Sequence, residues 1–494
     1  MAIVDRLQAL RDFGGERITR GLPDEVLEQF ADDAALNAAI DEAVECHQQL
    51  QAEFGELMTR DESEQIQRIQ RGFVNFYPDD AINPYIAIAA RGPWVITSMG
   101  AVLHDSGGYG MLGFGHGPSQ VIDAMGQNQV MANIMTPNFS QLKLDNALRS
   151  EIGRDTACPY DRFLCLNSGS EAVTVGARIT DINAKLQTDP GGRHAGKPIR
   201  ILGLKGAFHG RTDRPARFSD STRKTYKGHL ASFRDMDNLL TVPVNDVEAL
   251  KAVFSEANQH GWFIEAMFME PVMGEGNPGM GITREFYDAA RELTRQHGSL
   301  LLIDSIQAGL RVHGCLSIVD YPGFEGIDPP DMETYSKALN AGQYPLSVLA
   351  MSPSTSSLYR KGVYGNTMTT NPRAMDVACT VLDSLDDALR ANIVARGQEF
   401  IDKFEQLKSE LNGEITHVQG TGLLLSVELD PAFKSYGSGS IEEYLRMRGI
   451  GVIHGGENSL RYTPHFGITS EEVDLIISAT RHALLKGPRL SQVA

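Results

Sequence analysis

The chain has 494 residues, 42% of them hydrophobic and 22% charged, with 63 acidic against 45 basic side chains and a formal net charge of −18. A chain of this length exceeds what one hydrophobic core organises, so two or more lobes are expected. The acidic balance argues against nucleic acid or an anionic membrane surface as a partner, and no stretch approaches the roughly 20 consecutive apolar residues of a membrane-spanning helix.

The opening MAIVDRLQALRDFGGERITRG carries acidic groups and no apolar block behind a basic end, so neither an export nor a transit signal is expected there. Residues 1–82 read as a helical N-terminal extension, with LPDEVLEQFADDAALNAAIDEAVECHQQLQAEF at helix-compatible spacing. From Asn83 the texture changes to short β-rich runs parted by glycine, the first part of a small domain over 83–124. Between 125 and 375, RFLCL, IRILGL, WFIEAMFME and SLLLID alternate with amphipathic stretches, the pattern of a largely parallel sheet covered on both faces. Residues 376–494 read as a C-terminal α+β lobe, opened by one long helix running through to KSEL and closed by a helix from Ser470. The five cysteines, Cys46, Cys158, Cys165, Cys315 and Cys379, show no CxxC or Cys/His ligand spacing, which fits reduced thiols in a cytosol and no metal centre.

Three local features carry chemistry. In LCLNSGSEAVTVGARIT a strand passes through Ser168, Gly169 and Ser170 into a helix, where free N–H groups and hydroxyls form a phosphate cradle or an ordinary serine-capped helix start. In SLLLIDSIQAG an apolar strand ends on Asp304, and the carboxyl ends of parallel strands line ligand crevices; an acidic turn residue is the plainer reading. In TYSKALNAGQYPLSVLAM, Lys337 stands between an aromatic segment and a small-residue turn, suited to amine chemistry if partly desolvated and otherwise a surface charge.

Taken together, LNSGSEA, FHGRT, MEPVMGEG, IDSIQAG, YSKAL, YGNTMTTNP and LRYTPHFGIT resemble, in order and spacing, the landmarks of the class III (ornithine, 4-aminobutyrate and acetylornithine type) pyridoxal-phosphate-dependent aminotransferases, from about Asn83 to Leu485. The resemblance implies an α/β protein of fold type I, with a large domain around a mostly parallel sheet and a smaller α+β domain. It implies pyridoxal 5'-phosphate as cofactor, carried by Lys337 as a Schiff base, with Asp304 partnering the ring nitrogen and Gln307 near the phenolic oxygen. Ile306 and Phe208 correspond to the residues on the two ring faces. Ser168, Gly169 and Ser170 fall at the phosphate, while His209 falls with the cofactor residues or serves a structural role. Thr367 aligns with a threonine that reaches the neighbouring subunit's phosphate, which implies a homodimer. For substrate, the resemblance points to Tyr109, Arg211, Glu275 and Arg461, with Glu275 able to pair with Arg461 when a substrate lacks the matching carboxylate.

The implied reaction is ping-pong transfer of an amino group from a small amino acid or ω-amino compound to a keto acid. A racemase or epimerase, an aminomutase or a decarboxylase shares the same landmarks, and a binding protein that kept the fold is a third reading. Three departures bear on the substrate pocket: Ser305 replaces a glutamate, Met273 stands where glutamine is frequent, and Thr369-Thr370 replace a glycine pair.

Overall fold

The structure, a computed structural model, describes residues 3–107, 109–131, 133–234 and 236–490; the extreme ends of the expected extension and C-terminal lobe lie outside these. The chain forms two compact units, one of residues 120–394 with 420–424, the other of 1–119, 395–419 and 425–494. Among the described residues no helix is long and apolar enough to cross a membrane.

The larger unit is built on seven strands: β1 (Arg162–Leu166), β2 (Ile199–Leu204), β3 (Leu239–Val242), β4 (Phe263–Met269), β5 (Leu300–Asp304), β6 (Met332–Tyr335) and β7 (Ser347–Met351). Their order is β1-β7-β6-β5-β4-β2-β3. Only β7 is reversed, pairing antiparallel with β1 and β6, while β6–β5, β5–β4, β4–β2 and β2–β3 are parallel. All seven residues of β4 are buried, as a strand covered on both faces requires. Helix α1 (Gly169–Thr188) crosses one face with Val173, Ala177 and Ile179 buried among Leu302, Met332 and Leu349. It comes so close at Gly176 that an added Cβ would lie 2.5 Å from Leu302 Cδ1, so a larger residue there would push the Leu302 side chain aside. The opposite face holds Phe286, Tyr287 and Ala290 against Met267, Leu301 and Ile303. The long helix expected from residue 373 onward is divided: Pro372–Asp383 ends at Ser384, and a second helix spans Asp387–Glu410. Asp386 causes the restart, its carboxylate accepting from Leu389 N at 2.8 Å in the manner of an N-cap.

In the smaller unit the N-terminal extension is part of the core. The helix Ala34–Met58 buries Leu36, Ala39, Ile40 and Ala43, an i, i+3, i+4, i+7 stripe, and Asp33 caps it by accepting from Leu36 N at 2.9 Å. The loop before it is tied down by Glu62, a fully buried carboxylate that accepts from Ile18 N and Thr19 N, each at 2.8 Å. Strands Ala87–Arg91, Trp94–Thr97 and Val102–Asp105 form an antiparallel meander whose edge pairs in parallel with Ile450–Gly451. In a second sheet, Ser459–Tyr462 pairs antiparallel with Leu424–Leu429 and Ile453–Gly455.

Glu472, at the start of the helix Ser470–Lys486, braces this unit. Its Oε1 accepts from the rings of His104 at 3.1 Å and His465 at 3.0 Å, and its Oε2 from Thr469 N at 2.6 Å. Their ligand atoms lie within 4.8 Å of one another, the one group among the described residues compatible with a metal ion by proximity. Burial alone would raise the Glu472 carboxyl, but the hydrogen bonds from His104 and His465 prevail and hold it far below its ordinary range. A folded-state value below the unfolded one, about 4.3, adds stability that is complete above that pH and is lost as pH falls below it. Glu472→Gln is therefore expected to be less stable by about 2 kcal/mol at pH 7, the gap narrowing in thermal melts as pH falls from 5 to 3; a gap that widened on acidification would refute the assignment.

Candidate active site

Five strands running in one direction deliver the candidate residues from their carboxyl ends, where ligands bind in open α/β sheets. Ser168, Gly169 and Ser170 follow β1, Phe208 to Arg211 follow β2, Glu270 to Glu275 follow β4, Asp304 closes β5, and Lys337 follows β6.

Asp304 is 4% exposed and held on both oxygens. Its Oδ2 faces His209 Nδ1 at 2.8 Å, and its Oδ1 accepts from Thr334 Oγ1 at 3.1 Å and Ile306 N at 3.2 Å. A carboxylate accepts only, so His209 carries its proton on Nδ1, and its buried Nε2 has no partner among the described residues. His209 thus stands beside Asp304 as the group that orients it. Lys337 Nζ donates to Gln307 Oε1, bringing two expected site residues together. Its backbone is left-handed at φ 49°, a conformation that costs a non-glycine residue about 1–2 kcal/mol and turns the chain sharply out of β6.

At the helix start, Ser168 caps α1 by accepting from Glu171 N at 3.3 Å, so its hydroxyl serves the helix. Gly169 lies under Ile306, where an added Cβ would meet Ile306 Cδ1 at 2.7 Å. Ser170 Oγ accepts from Arg211 N at 3.3 Å, linking the turn after β1 to the one after β2. Arg211 is exposed, and its guanidinium stacks on Phe208 with Cζ 5.3 Å from the ring centroid.

The departures divide clearly. Ser305 does not face the open edge: it is fully buried and donates to Glu333. That carboxylate, on β6, also accepts from Tyr160 OH at 2.7 Å, Tyr335 OH at 2.9 Å, Ile318 N at 3.0 Å and Ser317 Oγ. A glutamate at 305 would set a second carboxylate against it, so serine and Glu333 belong together. Met273 is buried in the apolar core. Thr369 Oγ1 donates to Asn366 O at 2.8 Å, whereas Thr370 is a β-branched residue held at φ 59°. Thr370→Gly is expected to raise stability by about 1 kcal/mol, read as a higher denaturant midpoint at unchanged slope; an unchanged midpoint would count against strain there.

Sequence reasoning passed over Glu270, Thr334 and Glu333. Glu270 is fully buried; it accepts from Phe208 N at 3.0 Å and Gly274 N at 2.8 Å, and burial pushes its carboxyl up to about 7 despite the nearby His209. Its place directly after a strand, in MEPVMGEG, was the available signal. Glu275 is half-buried two residues past Met273, and Thr367 is exposed on a turn beside Asn366, whose amide donates to Glu171 Oε1 at 2.6 Å. In the smaller unit, Tyr109 and Arg461 meet: the guanidinium lies 5.7 Å from the phenol ring centroid, and Arg461 is buried.

Comparison with known families matches residues 77–484 to the class-III aminotransferases. The chain belongs to this family. It is therefore a pyridoxal-phosphate-dependent aminotransferase that uses an amino donor and a keto acid. Among curated relatives it is similar to ornithine aminotransferase 2 of Staphylococcus aureus (strain Mu50), 29% identical over 407 residues that span 81% of this chain and 94% of the relative. It is also similar to acetylornithine aminotransferase of Thermosynechococcus vestitus, 27% identical over 66% of this chain and 74% of that one. The fold matches the crystal structure of ornithine aminotransferase from Toxoplasma gondii with a TM-score of 0.73 at 24% identity, covering 88% of this chain and 98% of that one. Fold type I, expected from the motifs, is thus the fold of this aminotransferase.

The aminotransferase's residues suit the cofactor. A buried carboxylate with a histidine behind it fits a protonated ring nitrogen. The first N–H groups of α1 are left over by the helix itself and suit a phosphate, and the Lys337 amine sits beside a neutral amide.

Proposed function

We propose that this aminotransferase takes an amino group from a small amino acid or ω-amino compound and delivers it to a keto acid in two half-reactions, with Lys337 as the cofactor-bearing and proton-moving residue. The observation that carries the reading is the convergence at one sheet edge of Asp304, braced on both oxygens, and the Lys337–Gln307 pair. Bound pyridoxal phosphate supplies an electron sink through its protonated ring nitrogen. Asp304 keeps that proton in place by its charge. Gln307 orients the Lys337 amine, which would carry the cofactor and act as the base that moves the proton of the substrate carbon. Ile306 and Phe208 pack the ring, and Ser168, Gly169 and Ser170 receive the phosphate. Arg211, Arg461, Glu275 and Tyr109 serve the substrates.

The working form in this proposal is a cytosolic homodimer in which Thr367 reaches the neighbouring phosphate. An exposed apolar run supports it, since Val130, Met131, Met135 and Phe139 stand open to water and such patches mark contacts between chains. The five free cysteines fit a reducing compartment. A screen of isotopically labelled amino donors against 2-oxoglutarate and pyruvate tests the function. Label appearing in a different amino acid is the expected result; inversion of the donor without any acceptor would replace transamination by racemisation.

A further inference from the structure

Two loops at the open edge of the larger unit's sheet are fastened to one buried carboxylate. Glu270, directly after β4, is 3% exposed. One of its oxygens accepts from Phe208 N at 3.0 Å and the other from Gly274 N at 2.8 Å. The first amide belongs to the loop after β2, the second to the loop after β4. The same two loops meet again at Gly276, where an added Cβ would run into Gly206 O.

Each end of this clasp leads to a candidate cofactor residue. Phe208 is assigned a ring face, and the residue after it, His209, reaches Asp304 through Nδ1 at 2.8 Å. Gly274 lies flush against Gln307, since an added Cβ would stand 2.8 Å from its Cγ and 3.1 Å from its Cδ. The amide at the end of that side chain accepts from Lys337 Nζ. A shift of either loop therefore moves a group that faces the cofactor. A carboxylate holds both loops because it accepts at two atoms, whereas glutamine accepts at one and presents N–H groups at the other.

We propose that Glu270 is a positioning residue of the cofactor site, joining the loop of Phe208 to the loop of Gly274 so that the ring-stacking group and the amide that orients Lys337 are set before the cofactor arrives. The inference rests on the cofactor roles given above to Phe208, Gln307 and Lys337. Burial lifts the Glu270 carboxyl to about 7, with Asp304 adding to the rise and His209 opposing it. Measurements at about pH 8.5 keep it in the carboxylate form.

Glu270→Gln keeps the side chain's shape and releases one loop. Stripped of cofactor and titrated with pyridoxal phosphate, this variant is expected to bind about ten-fold more weakly, the scale of losing one hydrogen bond to a charged group. Once saturated, it should show a weaker circular dichroism signal in the cofactor's visible band, because the ring is less firmly held. Glu265→Gln is the control for lost stability: it alters a carboxylate of β4 that is 2% exposed and is bound by Thr180 and Arg214. It is expected to match the unaltered enzyme in both readouts. In the unaltered enzyme without cofactor, hydrogen exchange should find the Phe208 and Gly274 amides protected, a measurement that needs no variant to fold. Equal affinity and dichroism in Glu270→Gln, the same losses in Glu265→Gln, or rapid exchange at both amides would each overturn the proposal. Failure of the unaltered enzyme to take up pyridoxal phosphate would strike the cofactor reading instead, while the exchange measurement still decides whether Glu270 holds the two loops.

Discussion

Lys337→Ala is expected to lower turnover by at least about 10,000-fold while leaving the fold intact. A positioned base contributes about 100- to 10,000-fold, and this lysine is assigned a second task, the covalent anchoring of the cofactor. Alanine at 337 keeps the left-handed backbone at φ 49°, so the comparison isolates the amine from the turn it stands on. Borohydride treatment of the unaltered enzyme followed by peptide mapping should find the cofactor on the Lys337 peptide, and small added amines should restore part of the variant's activity. A variant with a tenth of normal turnover would remove Lys337 from the chemistry.

Asp304→Asn is expected to cost about 100- to 1,000-fold in kcat, the scale of losing one preorganised electrostatic partner. Asparagine keeps the size and still accepts from Thr334 Oγ1, which lies 3.1 Å away, but it carries no charge. Two consequences then separate charge from packing. The ring nitrogen's proton is no longer held, so the pH dependence of the cofactor's visible band should change. His209, whose Nδ1 lies 2.8 Å from the carboxylate, loses an anionic acceptor and faces a neutral amide instead, which weakens the hydrogen bond that orients it. An Asp304→Asn enzyme with normal kcat and an unaltered spectrum would mean that Asp304 is a structural carboxylate.

Much of the site was legible because parallel strands expose their ends. Asp304 closes an apolar run, Ser168 to Ser170 follow another, and Lys337 follows a third, so each strand boundary nominated its own residue. The buried supports were not legible for the converse reason. Glu333 sits inside the four-residue strand β6, all of it buried, where a glutamate in sequence resembles any solvated charge; only the fold brings Tyr160, Ser317 and Ser305 to it. Ser305, in sequence a departure bearing on the substrate pocket, points its hydroxyl into that buried cluster instead. The break at Ser384 was hidden because Ser384, Leu385 and Asp386 interrupt an otherwise helical composition for only one short turn. The partnership of His104 with Glu472 spans 368 positions, and no local pattern reports a contact of that range.

The discontinuity of the smaller unit has a consequence for biosynthesis. The strand Val102–Asp105 takes Ile450–Gly451 as its parallel neighbour, and the intervening chain includes residues 120–394, which form the larger unit. At about 5–20 residues per second, the ribosome needs on the order of 20–70 s to supply that partner. During this interval the larger unit has its whole sheet and can fold, while the meander waits with one edge unpaired. The extension is complete by then, and its helix Ala34–Met58 already offers the stripe that buries against the meander. A segment made early can thus act as an internal chaperone, shielding apolar strands until the last tenth of the protein emerges. Ribosome-bound chains halted before residue 450 should aggregate more readily when Leu36 and Ile40 are replaced by aspartate, and chains carrying the native stripe should stay dispersed.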